Sequence, residues 1–142
     1  MLSNQTFNWS IRVYYEDTDS GGVVYHSNYL NFMERARTEW LRHLGFEQTY
    51  IRDELNVIFV VHNMQIIFKK PAKFNDMLTI TSQLTSLGRG SFEFTQTITT
   101  NEPVLGQRNV LVEAQVKLAC VNALTFKPVG IPEPIKSTME QT

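Results

Sequence analysis

The amino-acid sequence predicts an α+β domain in which a curved antiparallel sheet of five strands wraps around one long helix. One segment places large apolar residues at helical spacing, and five segments alternate apolar and polar residues as strands do. Antiparallel sheets with one solvated face show this alternation. Only one long helix is available to cover the apolar face, so a sheet curved around that helix is the economical arrangement.

The chain has 142 residues, a length that suits one domain. We therefore expect residues 1–142 to form a single domain. Three prolines in the last part of the chain, Pro128, Pro132 and Pro134, predict an irregular tail over 126–142.

The first strand and the helix are separated by an acidic turn. Alternation of Trp9, Ile11, Val13 and Tyr15 with polar residues predicts the strand. The helix is predicted over 29–44, with Ser27 or Asn28 as its N-cap and Gly45 as its stop. Its helically spaced residues are Tyr29, Met33, Ala36, Trp40 and Leu44, with Phe32, Arg37 and Leu41 beside them.

The chain after residue 57 is predicted to be strands. Alternating segments occupy 64–68, 78–85, 92–99 and 109–120, and a short helical turn is expected within 47–56. The run 57–61 breaks the alternation because it is apolar on both faces. Either a second subunit covers its outer face, which would indicate oligomerisation, or the core is locally thicker.

Composition restricts the function and the setting. The formal net charge is −1 and the pI is near 6.3, which excludes the broad basic surface typical of nucleic-acid binding. Cys120 is the single cysteine, so an internal disulfide is impossible, and its inward position predicts a structural thiol. We expect a cytoplasmic protein, because the sequence shows neither a secretory signal nor an apolar run of membrane-spanning length.

The acidic, glycine-bearing turn is the candidate site. Turn residues such as Asp17 and Asp19 commonly bond only to nearby backbone, which is the structural interpretation. The functional interpretation is that Asp19 faces free N–H groups at the helix N-terminus, contributed by His26, Ser27 or Asn28. Such donors stabilise the oxyanion that forms when an ester or thioester carbonyl is attacked. Asp19 would then act as nucleophile or as general base.

The run from 13 to 42 resembles the hotdog-fold thioesterases of the 4-hydroxybenzoyl-CoA thioesterase type, and most of all their YbgC-like group, which is associated with the Tol-Pal system. The matching blocks are 14–19 (YYEDTD), 21–26 (GGVVYH), 28–29 (NY), 34–39 (ERARTE) and 70–76 (KPAKFND). The likeness extends over roughly 9–125. It implies the same curved sheet around one helix.

The resemblance also implies the chemistry. The family's catalytic carboxylate falls on Asp19, and the backbone N–H that polarises the thioester carbonyl falls on His26. Gly22, Val23 and Tyr25 are expected to contact a short-chain, or sometimes longer, acyl-CoA. The family needs no metal or redox cofactor, and its members are dimers or tetramers with active sites at subunit interfaces. A Tol-Pal or peripheral membrane association rests on this likeness alone.

The sequence departs from the family at the site for the CoA phosphates. Where the 4-hydroxybenzoyl-CoA enzymes carry several basic residues after the third strand, this chain has Arg89 alone within 87–91. Arg89 is the candidate phosphate contact, with Lys69, Lys70 or Lys73 as candidate helpers. Two other functions stay open: a hydratase or dehydratase on the same fold, and a non-catalytic acyl-CoA-binding or envelope-complex adaptor module.

Overall fold

The architecture is the predicted α+β arrangement, an antiparallel five-stranded sheet packed on one long helix. The computed structural model describes residues 5–102 and 107–142. The strands are β1 (Phe7–Arg12), β2 (Val57–Phe68), β3 (Met77–Leu87), β4 (Ser91–Glu102) and β5 (Gln107–Asn122). The helices are α1 (His26–His43), α2 (Gln48–Leu55) and α3 (Glu133–Met139). Within the described residues, none of these helices combines the length and the hydrophobicity of a bilayer-spanning segment.

The strands follow the order β1-β3-β4-β5-β2, so β1 and β2 form the two edges of the sheet. The register places apolar residues of neighbouring strands opposite one another, as in the pairs Ile80–Ile98 and Phe94–Val116. Irregularities with one extra residue interrupt the pairing in β2, β3 and β5. Such bulges bend a strand and increase its twist, which lets the sheet curve around α1.

Helix α1 lies against the concave face of the sheet because its apolar stripe matches the inward residues of the strands. Trp40 packs edge-on against Phe94, with ring centroids 4.8 Å apart. The interface also contains a buried polar network. Arg37 donates to Gln96 Oε1 at 2.9 Å, and the Gln96 amide donates to the Met33 carbonyl and to Ser82 Oγ. The sequence-predicted helix is therefore correct, and α2 confirms the helical turn expected within 47–56.

Two boundaries near the acidic turn differ from the prediction. β1 ends at Arg12 rather than continuing to Tyr15, because the chain enters a short 3₁₀ turn at Tyr15–Asp17. Helix α1 begins at His26 with Tyr25 as its N-cap, so the N-cap prediction of Ser27 or Asn28 is wrong. Tyr25 makes no side-chain capping hydrogen bond and is not a residue type that N-caps favour, so the sequence did not indicate that α1 begins here.

The apolar run 57–61 forms the first part of β2. A bulge between Val61 and Asn63 changes the face that later residues present, which explains why 57–61 and 64–68 follow different patterns. Val57 is buried, residues 58–60 are half-buried, and Val61 is 47% exposed. Within one chain the core is therefore not thick enough to cover this edge strand on both faces.

The prediction of an irregular tail over 126–142 is wrong for residues 133–139, which form α3. Pro134 stands at the beginning of this helix, where the missing N–H of proline costs no hydrogen bond. Ile131, Ile135 and Met139 recur every four residues and are buried in the core. Their helical spacing outweighs the proline content that predicted irregular structure.

Candidate active site

A tight hairpin between β1 and α1 carries Asp19. The Asp19 N–H donates to the Val23 carbonyl at 2.9 Å, and the Gly22 N–H donates to the Asp19 carbonyl at 3.1 Å. Gly22 has a φ of +80°, in the left-handed region that strongly favours glycine. The two glycines of the motif thus close the turn that positions the carboxylate.

The Asp19 carboxylate is held through one oxygen. Oδ1 accepts hydrogen bonds from the Gly21 N–H at 2.8 Å and from the Val23 N–H at 3.4 Å. A Cβ on residue 21 would lie 3.2 Å from this oxygen, so glycine allows the close approach. No residue in 5–102 or 107–142 hydrogen-bonds to Oδ2. The turn therefore fixes the side chain and leaves its second oxygen available to a ligand.

A cleft of about 270 Å³ lies beside this carboxylate. It opens between the hairpin, the first turn of α1 and the end of β2. Its lining residues are Asp19, Val23, Val24, Tyr25, His26, Tyr29, Phe68, Lys69, Lys70 and Pro71. Asp19 and the start of α1, which the sequence predicts to act together, thus border one cavity.

His26 is the first residue of α1, so its backbone N–H precedes the first intrahelical hydrogen bond. The N-terminal N–H groups of a helix favour negative charge nearby. The His26 imidazole lies against the Phe68 ring, with centroids 4.5 Å apart. Its ring thus packs on the cleft wall, while its backbone stands at the positive end of the helix.

Asp17 is a residue of the site that sequence reasoning treated only as a turn former. Its side chain is buried, at 9% exposure. Oδ2 accepts from the Tyr14 N–H and Oδ1 from the Asn28 side-chain amide, both at 2.9 Å, and its carbonyl accepts from the Tyr25 N–H. Asp17 thereby ties the acidic turn to the first turn of α1. Burial distinguishes Asp17 from Asp19, and the composition of the turn did not indicate which of the two aspartates would be buried.

Tyr29 joins α1 to the opposite wall of the cleft. The Ala72 N–H donates to the Tyr29 phenolic oxygen at 2.9 Å, and the Val24 N–H donates to the Ala72 carbonyl at the same distance. Burial raises the pKa of Tyr29 above its ordinary value; the hydrogen bond from Ala72 opposes this shift and the charge of Asp76 adds to it. Tyr29 is buried in the core, on the apolar face that the helical spacing of α1 predicts.

The remaining predicted substrate contacts are divided between two places. Val23 and Tyr25 line the cleft, and Gly22 adjoins it in the hairpin. Arg89 lies in the turn that follows β3. The 11 residues of β3 extend about 33 Å, and the cleft is at the other end of this strand. The structure therefore does not bring Arg89 to the cleft of its own chain.

Two of the candidate lysine helpers do line the cleft. Lys69 pairs with Glu113 at 3.1 Å, and Lys70 donates to Asn109 Oδ1 at 2.7 Å. Lys73 is exposed, and its backbone bridges Val23.

Cys120 has the structural environment that its inward position predicts. The thiol is fully buried, and burial raises its pKa to about 11. A thiol in this state is a poor nucleophile at neutral pH. Among the described residues, no three His, Cys, Asp or Glu side chains group closely enough to hold a metal ion.

Comparison with known proteins identifies the family. The family model described as the Thioesterase superfamily matches residues 21–107. The acyl-CoA thioester hydrolase YbgC of Escherichia coli O6:H1 is 44% identical over 140 residues, covering 99% of this chain and 100% of that protein. The acyl-CoA thioesterase YbgC of Haemophilus influenzae is 41% identical over 137 residues and covers 96% of each chain.

A solved structure gives the same result for the fold. The probable thioesterase from Bartonella henselae superposes with a TM-score of 0.81 at 37% identity, covering 90% of this chain and 100% of that one. The curved sheet around α1 is thus the hotdog fold. By its sequence and its fold, the chain belongs to the thioesterase superfamily, within the family of the YbgC acyl-CoA thioesterases.

Proposed function

We propose that the chain hydrolyses the thioester of short-chain acyl-CoA, releasing the free acid and CoA. The observation that carries the proposal is the free Oδ2 of Asp19 beside a cleft that also contains the start of α1. The YbgC relatives are named as acyl-CoA thioester hydrolases. These names support a catalytic role over the non-catalytic binding module, which no observation favours.

In the proposed reaction, the thioester carbonyl oxygen accepts a hydrogen bond from the His26 N–H. The positive end of α1 then stabilises the negative charge that develops on this oxygen. Asp19 Oδ2 acts in one of two ways. As a nucleophile it attacks the carbonyl carbon, releases CoA thiolate and forms an anhydride that water hydrolyses. As a general base it takes a proton from the attacking water.

The preference for short acyl groups is supported by the size of the cleft. Pockets for drug-sized ligands are typically about 300–1,000 Å³, whereas this cleft measures about 270 Å³ in one chain. We place Val23 and the half-exposed ring of Tyr25 against the acyl group. A Cβ on Gly22 would meet no atom within 4 Å, which leaves open space beside the turn for the rest of the substrate.

Assembly and setting complete the proposal. β2 is a 12-residue edge strand with apolar residues exposed along it, and such an edge is suited to pairing with another copy. We propose a cytoplasmic homodimer or homotetramer, in which Arg89 of a second copy reaches the CoA phosphates. Association with the Tol-Pal system or a membrane is proposed from family likeness only. Sedimentation equilibrium tests the assembly, and a monomeric mass at working concentration would contradict it.

The substitution Asp19→Asn tests the catalytic role. The asparagine oxygen can keep both hydrogen bonds from the loop, so only the free carboxylate oxygen is lost. We expect kcat to fall by roughly 10²–10⁴-fold, with an unchanged melting temperature. The assay is thiol release across a panel of acyl-CoA chain lengths.

A matched control is Asp53→Asn on α2, where the carboxylate is exposed and, among the described residues, pairs only with Arg52. This variant should retain the wild-type rate. Wild-type turnover by Asp19→Asn would refute the catalytic assignment. Acyl-CoA binding by calorimetry without any thiol release from the wild-type protein would refute hydrolysis itself.

A further inference from the structure

The loop between β2 and β3, residues 69–76, pairs with the hairpin that carries Asp19. The Val24 N–H donates to the Ala72 carbonyl at 2.9 Å, and Val23 forms an antiparallel bridge with the same loop. Val23 in turn bonds to Asp19 twice, through its N–H to Oδ1 and through its carbonyl to the Asp19 N–H. The position of the 69–76 loop therefore helps to set the position of the Asp19 carboxylate.

The same loop holds the residues that lead into α1. The Val24 N–H is bonded to the loop, and the next N–H, that of Tyr25, donates to the Asp17 carbonyl at 3.2 Å. His26 follows immediately as the first residue of the helix. In the proposed hydrolysis its N–H polarises the thioester carbonyl. Both groups of the proposed reaction, the carboxylate and this N–H, are thus attached to backbone that the 69–76 loop holds.

The 69–76 loop is joined to α1 itself by a single hydrogen bond. The Ala72 N–H donates to the phenolic oxygen of Tyr29 at 2.9 Å. The other N–H groups of the loop donate to the carbonyls or side chains of Val13, Gly22, Lys73, Asp76 and Leu111. Among the described residues, no further hydrogen bond connects the loop with α1. The Tyr29 hydroxyl is therefore the polar contact that fixes the loop relative to the helix.

This contact lies where water cannot take its place. Ala72 is fully buried and Tyr29 is nearly so. The Tyr29 ring packs against Phe32 and Phe68, with centroids 6.3 Å and 5.6 Å away, and neither contact involves the hydroxyl. A phenylalanine at position 29 can therefore keep the ring packing while leaving the buried Ala72 N–H without an acceptor, which is costly.

We propose that Tyr29 is a positioning residue for the hydrolysis. Its hydroxyl acts through the backbone of Ala72, without touching the substrate, and keeps Asp19 at the spacing from the His26 N–H that the reaction needs. The proposal rests on the proposed function, since it assigns Tyr29 a role in that reaction. A misplacement of about 1 Å between reacting groups can lower a rate by about 10²-fold. The effect of losing the hydroxyl should therefore appear in kcat rather than in KM.

The variant Tyr29→Phe, assayed by thiol release from butyryl-CoA, tests the proposal. We expect kcat to fall by at least about tenfold at unchanged KM. The rates are compared at a temperature at which circular dichroism shows both proteins to be folded, so that a lower melting temperature does not reduce the measured kcat. The matched control is Tyr50→Phe, which removes the hydroxyl of a half-exposed tyrosine on α2 and should leave both constants unchanged.

Amide hydrogen exchange separates positioning from a purely structural role. In Tyr29→Phe the amides of Ala72 and Val24 should both exchange faster than in the wild-type protein, because the freed loop no longer holds the hairpin. A purely structural role would lower the melting temperature and leave the kcat of the folded variant unchanged, which would overturn the proposal. Faster exchange at Ala72 alone, or a raised KM at constant kcat, would also overturn it.

Failure of this proposal can be told apart from failure of the proposed function. If the wild-type protein releases no thiol, the hydrolysis is refuted and the role of Tyr29 with it. If the wild-type protein is active and Tyr29→Phe has the same kcat, only the role of Tyr29 is refuted. Should Tyr29→Phe not fold, exchange in the wild-type protein decides: Ala72 and Val24 should open together with equal protection, and unequal protection overturns the proposal.

Discussion

The substitution Asp17→Ala isolates the contact that holds the acidic turn against α1. It removes two hydrogen bonds to a carboxylate, from the Tyr14 N–H and from the Asn28 amide. Bonds to charged groups contribute about 1.5–3 kcal/mol each, or about 3–6 kcal/mol for the pair. Both are only partly buried, so water recovers some of the loss. We expect a destabilisation near the lower end, about 3 kcal/mol.

The consequence for activity follows from the same contact. Released from α1, the turn no longer holds Asp19 against the cleft, so kcat should fall while the protein stays folded. Stability is measured by urea unfolding, and kcat by thiol release from acyl-CoA. Asn28→Ala removes one of the two bonds and should show roughly half the destabilisation.

The control for this prediction is Asp53→Ala, an exposed acid on α2, which should change stability by no more than about 0.5 kcal/mol. The reasoning is refuted if Asp17→Ala matches the wild-type protein in both its unfolding midpoint and its kcat. A loss of stability with unchanged kcat would show that the turn keeps its position without the two Asp17 hydrogen bonds, which we call the Asp17 clamp.

Three further predictions concern regions away from the clamp. Ile135→Ala should destabilise the protein by about 2–5 kcal/mol in urea because this α3 residue is fully buried; Leu124→Ala, at an exposed position, should not. Burial raises the pKa of Cys120 to about 11, whereas the thiol of an unfolded chain has a pKa of about 8.5. The unfolded state therefore loses its proton first, so stability should fall as pH rises from the unfolded value through the folded one. The variant Cys120→Ala should lack the part of this fall in stability that comes from the thiol. If the unfolding midpoints of the two proteins fall equally with rising pH, the prediction is wrong. Arg89→Gln should raise KM for acyl-CoA at constant kcat, with an effect that shrinks as salt screens the phosphates; an unchanged KM would exclude that contact.

Local sequence patterns predicted most of the fold because a helix and a strand each place apolar residues at a characteristic spacing. The strands β3, β4 and β5 and the helix α1 have long, regular stretches in which one face is apolar, and they appear at the expected places. The errors lie where a pattern is short or mixed. β1 stops three residues early because the acidic turn begins. Helix α3 was missed because the prolines around it obscured the pattern of its two buried residues, Ile135 and Met139.

In the candidate site, too, some features could be predicted from the sequence and others could not. The acid in a glycine-bearing turn before a helix left both a structural and a functional interpretation open, and the family resemblance singled out Asp19 and His26. Both residues line one cleft. The different roles of the neighbouring acids were not predictable, because composition treats Asp17 and Asp19 alike. Arg89 was chosen by its place in the chain, and the sheet carries it about 33 Å from the cleft end.

The sequence by itself determined the α+β class, the order of most elements and the position of the acidic, glycine-bearing turn. These follow from side-chain periodicity and from turn chemistry, which act over a few neighbouring residues. Only the tertiary structure decided that Asp17 is a buried clamp and that Arg89 is remote. Burial and charge pairing are set by residues distant in the chain, so they appear only when the sheet has closed on α1.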